Sequence, residues 1–167
     1  MPNPDELKQK VMDYCTQDSI PFKESPIKSD DPIFYWSLSI GNIIVYCQKK
    51  YPDRIYYQQQ INLAPEQIEM VSKWDNMKKS NLFANLTRNA IEFDYNHEFL
   101  FNEQNIVGVR IHKLTVGDTS KSDFITTLIR VQNIMNYTFN LLSSTMGIEM
   151  NLQKQQTQTS SQNPLSG

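Results

Sequence analysis

The stretch KSDFITTLIRVQNIMNYTFNLLSSTM, residues 121–146, decides how this chain is read. Phe124, Leu128, Val131, Met135, Thr138, Leu142 and Met146 recur at spacings of four and three, the period of an amphipathic α-helix. At ~1.5 Å per residue such a helix is roughly 39 Å long, comparable to a small domain. On a wheel of ~100° per residue, Ile125 and Ile129 widen the stripe on one flank, and Ile134 and Leu141 widen it on the other. Thr126, Arg130, Asn133 and Asn140 form the polar back. A helix resting on a sheet needs an apolar arc of ~100° or somewhat more, so the flanks must meet either other helices of the chain or a partner. Ile125, Ile129, Ile134 and Leu141 are therefore the partner-binding candidates.

Upstream, the period changes along the chain. Pro4, after a possible cap at Asn3 and before Asp5 and Glu6, starts a helix whose face carries Leu7, Val11, Tyr14 and Cys15, ending near Asp18. The proline-interrupted segment from Ile20 to Pro32 reads as a linker or irregular edge strand. From Ile33 the period is two, with Phe34, Trp36, Leu38 and Ile40 on one side and Tyr35, Ser37 and Ser39 on the other. Gly41-Asn42 tolerates positive φ and turns the chain into Ile43 to Lys49; Tyr51-Pro52-Asp53 turns it again into the alternating run around Ile55, Tyr57, Gln59 and Ile61. Pro65 opens a helical region to Ile91, with Lys78-Lys79-Ser80-Asn81 as the expected break. A second hairpin spans Phe99 to Lys113 around a turn at 102–105, and Ser120, three residues before Asp123, resembles a cap on the last helix. The expected architecture is α+β in two layers, an antiparallel sheet of about five strands in the order helix-βββ-helix-ββ-helix, packed against helices. It occupies residues 1–148, and the Gln/Ser/Thr-rich segment 149–167 is expected to be a disordered tail, since it has too little apolar surface to offset the entropy of ordering.

Composition removes several function classes. With 167 residues, 39% hydrophobic, 20% charged and a net charge of −2, the chain suits one core and has no global field to attract nucleic acid or an anionic membrane. Its apolar runs are far shorter than the ~20 residues of a membrane span, and its start lacks the basic and apolar parts of a signal peptide, so a cytoplasmic location is expected. Cys15 and Cys47 read as buried free thiols. The five glycines stand too far apart for a phosphate loop, and His97-Glu98 lacks a second His one turn on, so no cofactor and no metal are implied. The Asp30-Asp31 pair before Pro32 reads as a turn. Arg110 and His112 share the polar side of one strand: either a small-ligand or enzymatic site, or the solvated face of an antiparallel sheet. Lys49, Lys50 and Arg54 near Tyr46, Tyr51, Tyr56 and Tyr57 could stack bases, but such residues are also what a soluble β-hairpin carries, and nucleic acid is not the expected partner.

The order of elements resembles the two-layer fold of type III secretion chaperones and YbjN-like proteins. More narrowly, Phe34-Tyr35-Trp36 through Tyr46, the segment near Phe93, and Leu114-Thr115-Val116 followed by the Phe124 helix resemble an uncharacterised archaeal family of that fold, over most of residues 5 to 146. The resemblance implies no activity. Chaperone-fold relatives bind extended segments of other proteins as dimers, which together with the wide apolar arc makes a non-enzymatic protein-binding or chaperone-like module the leading expectation. Its partner would be another protein or a second copy of itself, as a homodimer.

Overall fold

The computed structural model describes residues 4–25, 32–116 and 119–160, with the side chains of the last helix as far as Gly147. Asn3, the Asp30-Asp31 pair and residues 161–167 lie outside the described residues. In chain order the elements are α1 (Pro4–Gln17), β1 (Phe22–Glu24), β2 (Pro32–Leu38), β3 (Ile44–Gln48), β4 (Tyr51–Asn62), α2 (Pro65–Ser72), α3 (Asn76–Glu92), β5 (Asn96–Asn102), β6 (Asn105–Val116) and α4 (Lys121–Ser160). The strands form one antiparallel sheet in the order β1-β2-β3-β4-β6-β5. Strand β1 is a sixth strand where about five were expected. It pairs Phe22, Lys23 and Glu24 with Leu38, Ser37 and Trp36, and it can tolerate neighbouring prolines because an edge strand hydrogen-bonds on one side only.

The two central hairpins form as the alternation predicts. Gly41 and Asn42 both take positive φ, 59° and 55°, and the turn closes through Leu38 N–H to the Ile43 carbonyl at 2.8 Å. Ile40 falls in this turn and is 37% exposed instead of joining the Phe34, Trp36 and Leu38 face. Strand β4 begins at Tyr51, so the turn is Lys49-Lys50 and not Tyr51-Pro52-Asp53; a register shift between Tyr46 and Gln48 accommodates Pro52. The helical break is also displaced. It falls between Ser72 and Asn76, where Asp75 caps α3 by accepting from Lys78 N–H at 2.7 Å, so the Lys78-Lys79-Ser80-Asn81 run lies inside the helix. A side-chain cap at an available carboxylate outweighs the weak propensities of Ser and Asn a turn later.

All the helices pack on one face of the sheet. Odd-numbered Ile55, Tyr57, Val109 and Ile111 point into the core, and the even-numbered residues between them point away. Helix α4 joins the core's three parts. Phe124, Leu128 and Val131 pack with α1 and β2 to β4; Met135 packs with Ala90, Tyr95 and Ile111; Leu142 and Met146 pack with α2, α3 and β6. All seven residues of the predicted stripe are buried. Ser120 caps the helix by accepting from Asp123 N–H at 3.1 Å, and its hydroxyl donates to the Asp123 carboxylate at 2.6 Å. The α4 backbone runs to Ser160, beyond the expected end near Met146, through Glu, Gln, Lys, Leu and Met residues that prolong an established helix at low cost.

Candidate functional site

The four flank residues of α4 separate. Ile134 is 8% exposed and packs with Ala90, Tyr95, Ile111 and Met135, so that flank meets α3 and the β5–β6 pair of the same chain. Ile125 and Leu141 are half-buried against the first and second core clusters. Ile129 is 53% exposed. Two aromatic residues of the same helix, Tyr137 at 47% and Phe139 at 55%, are exposed beyond what the stripe suggested.

Tyr137 borders a cleft between α4 and the end of α3. Helix α3 closes with Phe93 N–H bonded to the Asn89 carbonyl at 2.9 Å and Tyr95 N–H bonded to the Ala90 carbonyl at 3.0 Å, with Asp94 in the left-handed region at φ 51°. This turn presents Phe93, 51% exposed, toward solvent and sends Tyr95 inward. The Lys113 ammonium pairs with the Asp94 carboxylate and also donates to its carbonyl, pinning the turn to β6. The hydrogen bond and charge of Lys113 hold the Asp94 carboxyl below its usual range, with a smaller contribution from Arg130. The resulting cleft has a volume of about 600 Å³, with Phe93, Tyr95, Ile134 and Tyr137 as its apolar lining and Glu92, Asp94, Arg130 and Asn133 as its polar lining. The hydroxyls of Tyr95 and Thr138 are buried beneath it without a hydrogen bond of good geometry. Burial raises the Tyr95 phenol pKa, against a smaller opposing effect of the nearby Thr138 hydroxyl.

Arg110 and His112 lie on the opposite, uncovered sheet face. Arg110 is already engaged: Nη1 donates to Glu98 Oε2 at 3.0 Å, and Nε and Nη2 donate to Gln60 Oε1 at 3.4 and 3.3 Å. His112 sits in register with Gln58 and Asn96, and burial is the main cause of its lowered pKa. The two side chains share a strand face, and neither lines the cleft at α4. At the β3–β4 turn, Lys50 and Arg54 sit over the Tyr51 ring at 5.3 and 4.6 Å, and Tyr57 is wholly buried in the core. Tyr46 stacks between Tyr35 and Tyr56, with centroids 5.0 and 4.9 Å away, so its ring faces meet other rings. Both cysteines are free and buried, as the sequence indicates. Among the described residues no three His, Cys, Asp or Glu side chains converge on a metal site, and no helix is long and apolar enough to cross a membrane.

The signal for the cleft was present in the sequence. Arg130, Ile134, Tyr137 and Leu141 follow at spacings of four, three and four, one flank of α4 with polar and aromatic members as well as aliphatic ones. The other wall comes from Phe93 to Tyr95, distant in sequence and brought near only by the crossing of α3.

The fold is shared with a solved structure at very low identity. A crystal structure of an uncharacterized protein from Methanothermobacter thermautotrophicus aligns with a TM-score of 0.70 at 9% identity, covering 82% of this chain and 96% of that one. YbjN from E. coli aligns with a TM-score of 0.49 at 13% identity, covering 80% and 87%. No curated protein matches the chain. Residues 7–142 match the uncharacterized conserved proteins of DUF2299, and the chain belongs to that family.

Proposed function

We propose that this protein is a non-enzymatic recognition module that seats an apolar anchor of another polypeptide in the cleft between α4 and the α3–β5 turn. The observation that carries this reading is the pair of half-exposed rings, Phe93 and Tyr137, over a floor of Ile134 and Tyr95. Exposed aromatic surface beside a concavity is costly for a soluble chain unless something covers it, and aromatic residues dominate the energetics of peptide interfaces. The volume fits one or two large side chains of a bound segment. The charged groups at the cleft are of both signs, and the Asp94 charge is offset by Lys113, so apolar contact would carry the affinity and polar contact the orientation.

Selection of displayed random peptides on the purified chain tests this. The expected winners carry an aromatic or long aliphatic anchor and bind at least about tenfold more weakly to Tyr137→Ala or Phe93→Ala, while Ile129→Ala leaves them unchanged. Peptides unaffected by both cleft substitutions would refute the assignment.

A further inference from the structure

The helices leave the other face of the sheet bare among the described residues, and that face is organised. Register places Tyr35, Tyr46, Tyr56 and Leu114 in one row across β2, β3, β4 and β6, and Ser37, Ile44, Gln58, His112 and Asn96 in the next. The tyrosine rings form a continuous stack, with centroid separations of 5.0 and 4.9 Å. Cross-strand stacking of this kind fixes the side chains before any partner arrives, so little rotamer entropy remains to be lost on contact. Formal charge lies at the margins of these rows: Lys23, in register with Ser37, ends the second row on the edge strand β1, Arg54 lies toward one end of β4, and the Arg110–Glu98 pair toward the other end. A tyrosine stack with Leu114 and Ile44, flanked by uncharged polar side chains and a charged rim, has the anatomy of a protein interface.

We infer that this face packs against the same face of a second copy of the chain, with Tyr46 near the two-fold axis. A second copy fits this face in both charge and area. An isologous contact needs a face that does not repel itself; a centre without formal charge, with cations only at its margins and a paired acid and base beyond it, meets that need. The area is also sufficient: six strands span roughly 24 Å and seven residues roughly 23 Å, on the order of 600 Å² per copy and ~1,200 Å² for the pair, the lower bound of specific interfaces. Sheets stack face to face at about 10 Å in this manner. The inference is independent of the cleft at α4, which lies on the opposite side.

Sedimentation equilibrium of the full chain is the test, over a range reaching about 100 μM, where a modest interface is populated. The mass should rise from the 19.5 kDa of the monomer toward twice that value. Tyr46→Lys, which places a charge at the centre, should weaken association at least ~30-fold with an unchanged circular dichroism spectrum, and Tyr137→Ala should leave it intact. Should Tyr46→Lys fail to fold, nitration of the wild-type chain by tetranitromethane decides: Tyr35, Tyr46 and Tyr56 should react more slowly at high than at low protein concentration, and Tyr137 equally at both. A monomer throughout, a dimer indifferent to Tyr46→Lys, or tyrosine reactivity independent of concentration would each overturn the inference.

Discussion

Truncating Ile134 and Ile129 to alanine, one at a time, separates the two roles that residues on α4 can have. Each substitution deletes three carbons from the same helix. Ile134 is 8% exposed among Ala90, Tyr95, Ile111 and Met135, so nearly the full transfer term is lost, about 2.4 kcal/mol at ~0.8 per methylene. The side chains around it relax only partly, and the residual cavity brings the expected cost of Ile134→Ala to about 3 kcal/mol. Ile129 is 53% exposed, which about halves the transfer term; solvent fills the space, and alanine's better helix propensity returns a few tenths, leaving roughly 0.5–1 kcal/mol. Urea unfolding followed by circular dichroism reads both, as a shift in midpoint at constant slope. Equal losses at the two positions, or a larger loss at Ile129, would mean that α4 is rotated relative to the sheet and that the cleft described here does not exist.

Three further outcomes follow from the same geometry. His97 and His112 both have pKa values lowered below the ordinary 6.5, chiefly by burial, so the unfolded chain binds more protons just below that value. Stability should therefore fall as pH drops through 6.5 toward 5, before carboxylates such as Asp94 and Glu69 titrate, and replacing both histidines with glutamine should flatten the fall in urea midpoint. Gly41→Ala should cost about 1–2 kcal/mol or more, because Gly41 sits at φ 59° and a Cβ there would collide with the Gln132 amide, which itself contacts Gln59; thermal melting measures it. Asp75→Ala removes the α3 cap and should lower stability by ~1 kcal/mol, whereas Asp75→Asn should retain most of it, again by urea midpoint.

The parts of the fold legible in the sequence are those set by local periodicity. The buried stripe of α4, the alternation through β2 to β4 and the positive-φ turn at Gly41-Asn42 are each decided by residues within a few positions of one another. What escaped reading depends on distant partners or on competition between neighbouring signals. Strand β1 lies in the segment that reads as either a linker or an irregular edge strand; the edge that β2 offers decides between the two, which three residues among prolines cannot do alone. The α2–α3 break follows the Asp75 cap in preference to the Lys78-Lys79-Ser80-Asn81 run. Ile134 is buried because α3 and β5 come alongside α4, and no property of the helix itself reveals which of its two flanks they cover. The cleft has the same origin, since one wall is a C-terminal turn of α3 and the other a helix flank some forty residues later.

The most direct test of polypeptide recognition at this cleft is a backbone amide chemical-shift map of the chain titrated with a selected peptide. Recognition there gives saturable shifts centred on Phe93, Asp94, Tyr95, Arg130, Asn133, Ile134 and Tyr137, lost in Tyr137→Ala. Shifts centred instead on Arg110 and His112, or no saturable shift from any peptide the chain selects, would contradict it.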